Sequence, residues 1–422
     1  MSTPRWQGQA PGRLDFLGGV ADYSGSLVLQ TPIQAVTRVT LTPLSELHLE
    51  LTSEQEGAAV LPLPPQALME ASPLLCHGLE TVAQQGRAWL DEHRAPRWTR
   101  YPVGCFLLFC QAQQWRPAGG LQFAIASEVP ASMGVSSSAA LEVAALRALE
   151  EMSGRRFQGT ALARLAQRAE NGLVGAPCGL MDQLAASHGV RGALLPILCR
   201  PDVLDEPAPL PDGAAAVGWP SGVRHAVTAS PYATARAAAF MGRKILEAAL
   251  TRPLAHVTEL TPSEVAEVGE TLLPPALLGR DFLARHGGVD DPLSRIDPAR
   301  LYPVRAAVLF PIEENHRCAR AICLLRGVGP DDRRRTLQAV GELMYHSHAG
   351  YGAMGLGCPE TDAMVQAVRE RGPDHGFYGA RVSGGGSGGT VVVLLEAAAL
   401  PELERLAADP PLDGVRPASL IV

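Results

Sequence analysis

VPASMGVSSSAALEVAALRALEE, residues 129–151, is the stretch on which the reading of this chain turns. It opens as a polar, turn-forming loop and runs into a segment apolar on nearly every side, the signature of a buried helix. Just ahead of it, in LQFAIAS, Leu121, Phe123 and Ile125 alternate with Gln122, Ala124 and Ala126, the period-2 pattern of a strand. Strand, flexible loop and buried helix in that order make an anion site. The first N–H groups of a helix have no partner inside it, and the aligned peptide dipoles place partial positive charge there. Ser136, Ser137 and Ser138 add hydroxyls that can cap the helix, hold a phosphate or ligate a cation. On these residues alone, an ordinary serine-capped helix fits as well.

The segment is not the familiar mononucleotide loop, which needs Gly-Lys-Ser/Thr after four spacer residues. Lys244 is the only lysine in the chain, so positive charge on a phosphate must come from arginine, metal or backbone. At 422 residues the chain has room for two or three domains, and 46% hydrophobic with 19% charged residues describes a folded protein with ample core. A net charge of −7 argues against nucleic acid as a partner, because phosphate neutralisation needs a basic face. The beginning, MSTPRWQGQAPGR, lacks an apolar leader core, and no apolar run reaches membrane-spanning length. The eight cysteines are scattered, without zinc spacing, and read as reduced core residues of a cytoplasmic protein.

Along the chain, APGRLDFLGGVADYSGSLVLQTPIQAVTRVTLTPL opens with two turn-rich loops and continues as strands. Gly12, Gly18, Gly19 and Gly25 suggest positive φ or close backbone approach. Pro62, Pro64 and Pro65 punctuate a surface loop. Tyr101 to Cys110 reads as a buried helix, and Gly159 to Asn171 as another, burying Leu162, Leu165 and Ala169. Residues 201–216, rich in proline and acid, read as a linker; Tyr232 to Leu250 reads as a helix and 262–303 as a proline-punctuated connection. Helices are expected over 313–326 and 333–348. In RVSGGGSGGTVVVLLEA a glycine loop immediately precedes a continuous apolar strand.

Three glycine-bearing segments, APGRLDFLGGVADYSG, VPASMGVSSSAALE and RVSGGGSGGT, resemble in order and spacing those of the GHMP kinase superfamily, and the middle one matches its ATP-phosphate loop. GAPCGLMDQ and SGVRHAVTASPY narrow the resemblance to the galactokinase branch. GGVADYSGSLVLQ, LGRDFLARHGGVDDPLSRIDPARLYPVRAAVLFPIEENHR and GELMYHSHAGYGAMGLG look most like the L-arabinokinase type. The resemblance covers residues 10–395. It implies an α+β, two-lobed fold: an N-terminal lobe (1–200) like ribosomal protein S5 domain 2, and a C-terminal ferredoxin-like α/β lobe (201–422). ATP and sugar would meet in the cleft between them.

Phosphoryl transfer asks mainly that the triphosphate be held in line with an acceptor oxygen and that its charge be neutralised. By resemblance, Gly134, Val135, Ser136, Ser137, Ser138, Ala139 and Ala140 wrap the triphosphate, and Ser138 with Glu170 holds Mg2+, a hard cation suited to oxygen ligands. Without the resemblance, Glu170 reads as a solvated helix-end acid and Asp182 as a helix cap. With it, Asp182 accepts or orients the proton of the sugar hydroxyl, and Arg13 pairs with Asp182 while facing the γ-phosphate. Asp22 matches the sugar-hydroxyl acceptor, Tyr232 a sugar contact, and the Gly384–Gly389 loop, represented by Gly385, closes over the site. Arg224 and His225 support the cleft.

Typical galactokinases carry an acidic residue and a histidine where this chain has Gly19 and Val20. A buried hydroxyl left unpaired costs on the order of 1–3 kcal/mol. The corner therefore suits a sugar with nothing polar there, and L-arabinopyranose is galactose-like without the exocyclic hydroxymethyl group. The expected activity is ATP-dependent phosphorylation of L-arabinose at C1. A galactokinase and a catalytically silent sugar sensor are the alternatives, and a monomer is favoured over an assembly.

Overall fold

The computed structural model describes residues 4–69, 78–176, 178–200, 202–223, 231–410, 412, 414–416 and 418–422. By packing, the chain forms two units. One holds residues up to 13, 32–131 and 136–188; the other holds 14–31, 132–135 and everything from 189 onward.

The first unit is built on a mixed sheet. The strand Gly57–Pro62 pairs antiparallel with His48–Ser53, which pairs parallel with Gly120–Ser127, and this in turn lies antiparallel to residues 37–44. The alternation read in Leu121, Phe123 and Ile125 sends these three side chains into one core with Leu41, Leu49 and Leu51. A parallel pair needs a long crossover, and residues 63–119 supply it, including helices Gly78–Glu92 and Arg100–Gln113. Helix Ser137–Ser153 packs into the same core through Val143, Leu146 and Leu149.

The second unit centres on three antiparallel strands in the order Phe377–Val382, Thr390–Glu396, Ala214–Pro220, with Ile421 bridging to Gly218. Thr390–Glu396 is the middle strand, covered on both faces. That is why VVVLL reads as an unbroken apolar run and not an alternation. Helices Pro231–Leu250, Val304–Arg326, Arg333–Ala353 and Pro359–Arg371 are the longest in this unit.

Several sequence expectations need correction. The first turn-rich loop, around Pro11 and Gly12, is the interior of a strand, Trp6–Leu17. The 201–216 linker contains short strands Asp202–Leu204 and Ala208–Pro209 and the start of Ala214–Pro220. The 262–303 connection holds helices Pro262–Leu272 and Gly279–His286; Pro262 stands at the first helical position, where a missing N–H costs nothing. The helix expected from residue 313 begins at Val304 and runs through a buried Pro311, so burial of its flanks outweighs the lost backbone bond. Of the cysteines, Cys323 is exposed, and Cys178, Cys199 and Cys358 are half-buried, so only some are core residues. Among the described residues no helix is long and apolar enough to cross a membrane.

Candidate active site

Helix Ser137–Ser153 starts where the sequence placed it, but its serine does not cap it. Ser136 occupies the cap position in the left-handed region (φ 58°, ψ 52°) without a side-chain cap bond. Its hydroxyl instead donates to Asp182. A non-glycine residue in that region costs about 1–2 kcal/mol, so the loop accepts strain to aim this hydroxyl away from its own helix.

Asp182 lies in the first turn of helix Met181–His188. It accepts Arg13 Nε on Oδ1 and Arg13 Nη2 on Oδ2, each at 2.9 Å. The Arg13 side chain is 5% exposed and that of Asp182 is 25% exposed, so the carboxylate keeps one open side. The next residue, Gln183, reaches inward: its Nε2 donates to Glu170 at 2.7 Å and to Glu142 at 3.1 Å. Glu170 sits where helix Ala161–Ala169 widens into a π-helical turn, Glu170–Val174, a distortion often found at functional positions. Burial pushes the Glu170 carboxyl up and the charge of Asp182 adds to this, opposed by hydrogen bonds from Ser138, Cys178 and Gln183. Glu142, fully buried, is pushed up by burial and then by the charge of Glu170. Its Oε1 has no hydrogen-bond partner among the described residues.

This donor set fits a hard divalent cation. Ser138 and Glu170 offer oxygen only, their neighbourhood carries an excess of carboxylate, and a cation would relieve the repulsion that raises Glu170. No cluster of three or more His, Cys, Asp or Glu side chains suited to a metal occurs among the described residues.

Ser137, Ala139 and Ala140 stand in the first turn of helix Ser137–Ser153, in the first unit, and the remaining predicted residues belong to the second unit. Gly134 (φ 73°) and Val135 pack there, with Ser383 O 3.5 Å from where a Gly134 Cβ would stand and Thr390 Oγ1 donating to Met133 O. Gly19 to Ser24 form a 3-10 turn closed by Gly25, whose N–H meets the Ala21 and Asp22 carbonyls. Asp22 is half-buried on this turn; burial works against the charge on the Arg236 guanidinium, and the Asp291 hydrogen bond leads the contacts that hold it, with Tyr232 and then Asp22 adding less. Tyr232 stands edge-on to Tyr23, ring centroids 6.1 Å apart, and lies beside Gly385. Val20 is 3% exposed, in an apolar cluster with Ala21, Ala235, Phe310 and Tyr351. Arg224 and His225 lie outside the described residues.

Sequence reasoning missed a buried polar scaffold behind this turn. Asp15 accepts Gly19 N–H and Gln30 Nε2 on one oxygen, and Gly384 N–H at 3.3 Å and Arg381 Nη1 at 3.2 Å on the other. Glu314 accepts Gly18 N–H, Ser347 Oγ and Arg317 Nε. Tyr351 Oη accepts Val20 N–H and donates to Gly384 O. The available signal was an acid inside an apolar strand, Asp15 in RLDFL, since such an acid must be paired to be buried.

Comparison with known proteins supplies the family. The family model for the GHMP kinases N terminal domain matches residues 100–190, and that for the GHMP kinases C terminal matches residues 330–409. The chain is 32% identical over 441 residues to L-arabinokinase of Arabidopsis thaliana, covering 92% of this chain but 42% of that protein. To human galactokinase it is 30% identical over 406 residues, covering 96% and 87%. Galactokinase of Lactococcus lactis, solved with galactose, shares the fold at a TM-score of 0.70 and 19% identity, with 95% and 88% covered. The chain therefore belongs to the GHMP kinase family, in the branch that holds the galactokinases and L-arabinokinases, and is a phosphotransferase with an alcohol acceptor.

Proposed function

We propose that this kinase transfers the γ-phosphoryl group of ATP to the anomeric hydroxyl of L-arabinose, giving β-L-arabinose 1-phosphate. The observation that carries the sugar choice is the bare corner: position 19 has no side chain and Val20 turns its own into an apolar cluster. Neither residue offers a hydroxymethyl group on C5 a side-chain hydrogen-bond partner of its own. The 32% identity to an L-arabinokinase points the same way.

In this reading the backbone of residues 134–140 holds the triphosphate at the start of helix Ser137–Ser153. Ser138 and Glu170 would hold Mg2+, which supplies charge neutralisation on the phosphates. Asp22 and Tyr232 bind sugar hydroxyls, and Gly385 lets the backbone come close. Asp182 receives or orients the C1 hydroxyl proton as that oxygen bonds to the γ-phosphorus and the bond to the β,γ-bridging oxygen breaks, releasing ADP. Arg13 and the Ser136 hydroxyl fix the carboxylate in one orientation, and Arg13 offers positive charge to the transferring group. Free thiols at the seven described cysteines suit a reducing, ATP-rich cytosol.

The test is a panel of L-arabinose, D-galactose, D-glucuronate and D-galacturonate with Mg-ATP, scored by kcat/KM. L-Arabinose is expected to lead. The second reading, galactokinase, is favoured by the near-complete coverage of human galactokinase. Equal or better turnover of D-galactose would overturn the pentose assignment and leave the kinase standing, whereas ADP release on no sugar would remove both.

A further inference from the structure

Position 19 is empty for a reason that lies behind it. A Cβ built on Gly19 would stand 1.8 Å from Tyr351 Oη, 2.7 Å from Tyr351 Cζ and 2.8 Å from Arg381 Nη2. The φ of 55° at Gly19 adds to the demand for glycine. The phenol therefore already fills the volume that a side chain at 19 would take. Its hydroxyl is committed at both ends: it accepts Val20 N–H at 3.0 Å and donates to Gly384 O at 2.7 Å. One atom thus ties the 3-10 turn to the late glycine loop, the two backbone segments that the proposed reading gives to the sugar.

The ring itself cannot move freely. Phe310 packs on it edge-to-face at 5.3 Å between centroids, the Arg381 guanidinium lies 5.0 Å from its centroid, and a Cβ on Gly386 would meet its Cδ1 at 2.9 Å. Arg381 is fully buried, and its Nε and Nη2 have no partner among the described residues. The space beside position 19 is therefore shaped by a tyrosine and an arginine held by Asp15, not by a side chain reaching out from the turn.

Resting on the pentose-kinase reading, we propose that Tyr351 is the specificity-determining residue of the sugar corner. Its phenol excludes any side chain at position 19, and its hydroxyl clamps Val20 to Gly384, so the backbone around the sugar leaves no room for an exocyclic hydroxymethyl group. Tyr351 acts through the backbone it holds and is a positioning residue, not a catalytic one.

Two measurements test this. In Tyr351→Phe the ring packing is kept while Val20 N–H and Gly384 C=O lose their shared partner. The ratio of kcat/KM for D-galactose to that for L-arabinose is expected to rise about tenfold, through KM for sugar, with KM for ATP within about threefold of the parent. A lowered melting temperature with an unchanged ratio would mean that Tyr351 only packs, and would overturn the proposal. The second measurement is the coupling between positions 19 and 351, read on whichever sugar the parent prefers. Gly19→Ala is expected to cost at least about a hundredfold in kcat/KM in the parent, and no more than about tenfold in a Tyr351→Leu background, where the clash with the phenol is gone and only the positive φ and the 2.8 Å approach to Arg381 Nη2 remain. Equal losses in both backgrounds would overturn the proposal. A parent that prefers D-galactose would instead sink the pentose reading while leaving this coupling measurable.

Discussion

Replacing Asp182 by asparagine removes a single negative charge from a pair in which Arg13 is almost wholly shielded from water. Arg13 donates to both carboxylate oxygens at 2.9 Å, and its side chain is 5% exposed. Breaking a buried pair from one side costs about 3–5 kcal/mol, because the remaining charge is left uncompensated. The Asp182 side chain is 25% exposed, so water reaches the gap and the lower end, about 3 kcal/mol, is expected. Loss of proton acceptance adds a fall in turnover of about 10²–10⁴. The two effects separate in a cycle. Arg13→Gln combined with Asp182→Asn leaves no orphaned charge, so stability should return to within about 1 kcal/mol of the parent while turnover stays low. ADP release at saturating Mg-ATP and sugar reads the chemistry, calorimetric sugar titration reads binding, and urea melts read stability. Turnover of Asp182→Asn within about threefold of the parent would remove Asp182 from the reaction. Recovery of turnover in the double variant would reduce it to a counter-charge for Arg13.

Ser136→Gly relieves the left-handed backbone and should hold its stability to within about 1 kcal/mol, yet turn over about tenfold more slowly because the hydroxyl on Asp182 is gone; unchanged turnover would show that bond to be idle. Burial raises the Glu142 carboxyl, so the folded chain binds that proton more tightly than the unfolded chain and loses stability as pH rises above the ordinary carboxylate range. Glu142→Gln, which can still accept from Gln183, should flatten that part of a stability-versus-pH curve measured without nucleotide, and an unaltered slope would refute the assignment. His348 goes the other way: burial lowers it, more than Asp362 raises it, and its Nδ1 accepts Val382 N–H, so the folded chain favours the neutral ring. Its stabilising share is complete above about 6.5 and is lost as pH falls below that. Urea midpoints at pH 5 and 7.5 should differ less in His348→Gln than in the parent.

How far the sequence could be read depended on whether a residue's role is local. Strand Gly120–Ser127 and helix Ser137–Ser153 are marked by periodicity and burial pattern, both properties of neighbours in the chain. The strand through Pro11 and Gly12 was hidden because turn residues outvoted a buried run, Leu14 to Leu17, whose partners lie elsewhere in sequence. The proline-rich 262–303 segment misled in a similar way: Pro262 starts a helix instead of ending one. Arg13, Asp182, Ser138 and Glu170 were named through the family resemblance; in the fold Arg13 bonds Asp182 and Ser138 bonds Glu170, both pairs within one unit. Asp15, Glu314, Tyr351 and Arg381 were not found. Each is defined by a partner far away in sequence: Arg381 is 366 residues from Asp15, Glu314 is 296 residues from Gly18, and Gly19 meets Tyr351 only in the fold.

That last pairing changes what the bare corner means for substrate choice. A site that merely lacks a partner for a hydroxymethyl group rejects it weakly; one group more or less in an apolar pocket is worth about 10–200-fold. Gly19 and Val20 read as absences therefore allow a kinase that takes both sugars with a modest preference. On the proposed reading, a corner filled from behind by a phenol, whose ring packs against Phe310 and whose hydroxyl is bonded at both ends, would have no slack with which to admit the larger sugar. Overpacking forces side chains and backbone to shift, and that penalty adds to the missing hydrogen bond. The parent enzyme should therefore discriminate against D-galactose by more than about a thousandfold in kcat/KM, and Tyr351→Phe should fall back toward the weaker preference that a missing partner alone provides. A parent ratio near ten would mean that the turn yields to the larger sugar and that the corner is empty, not filled.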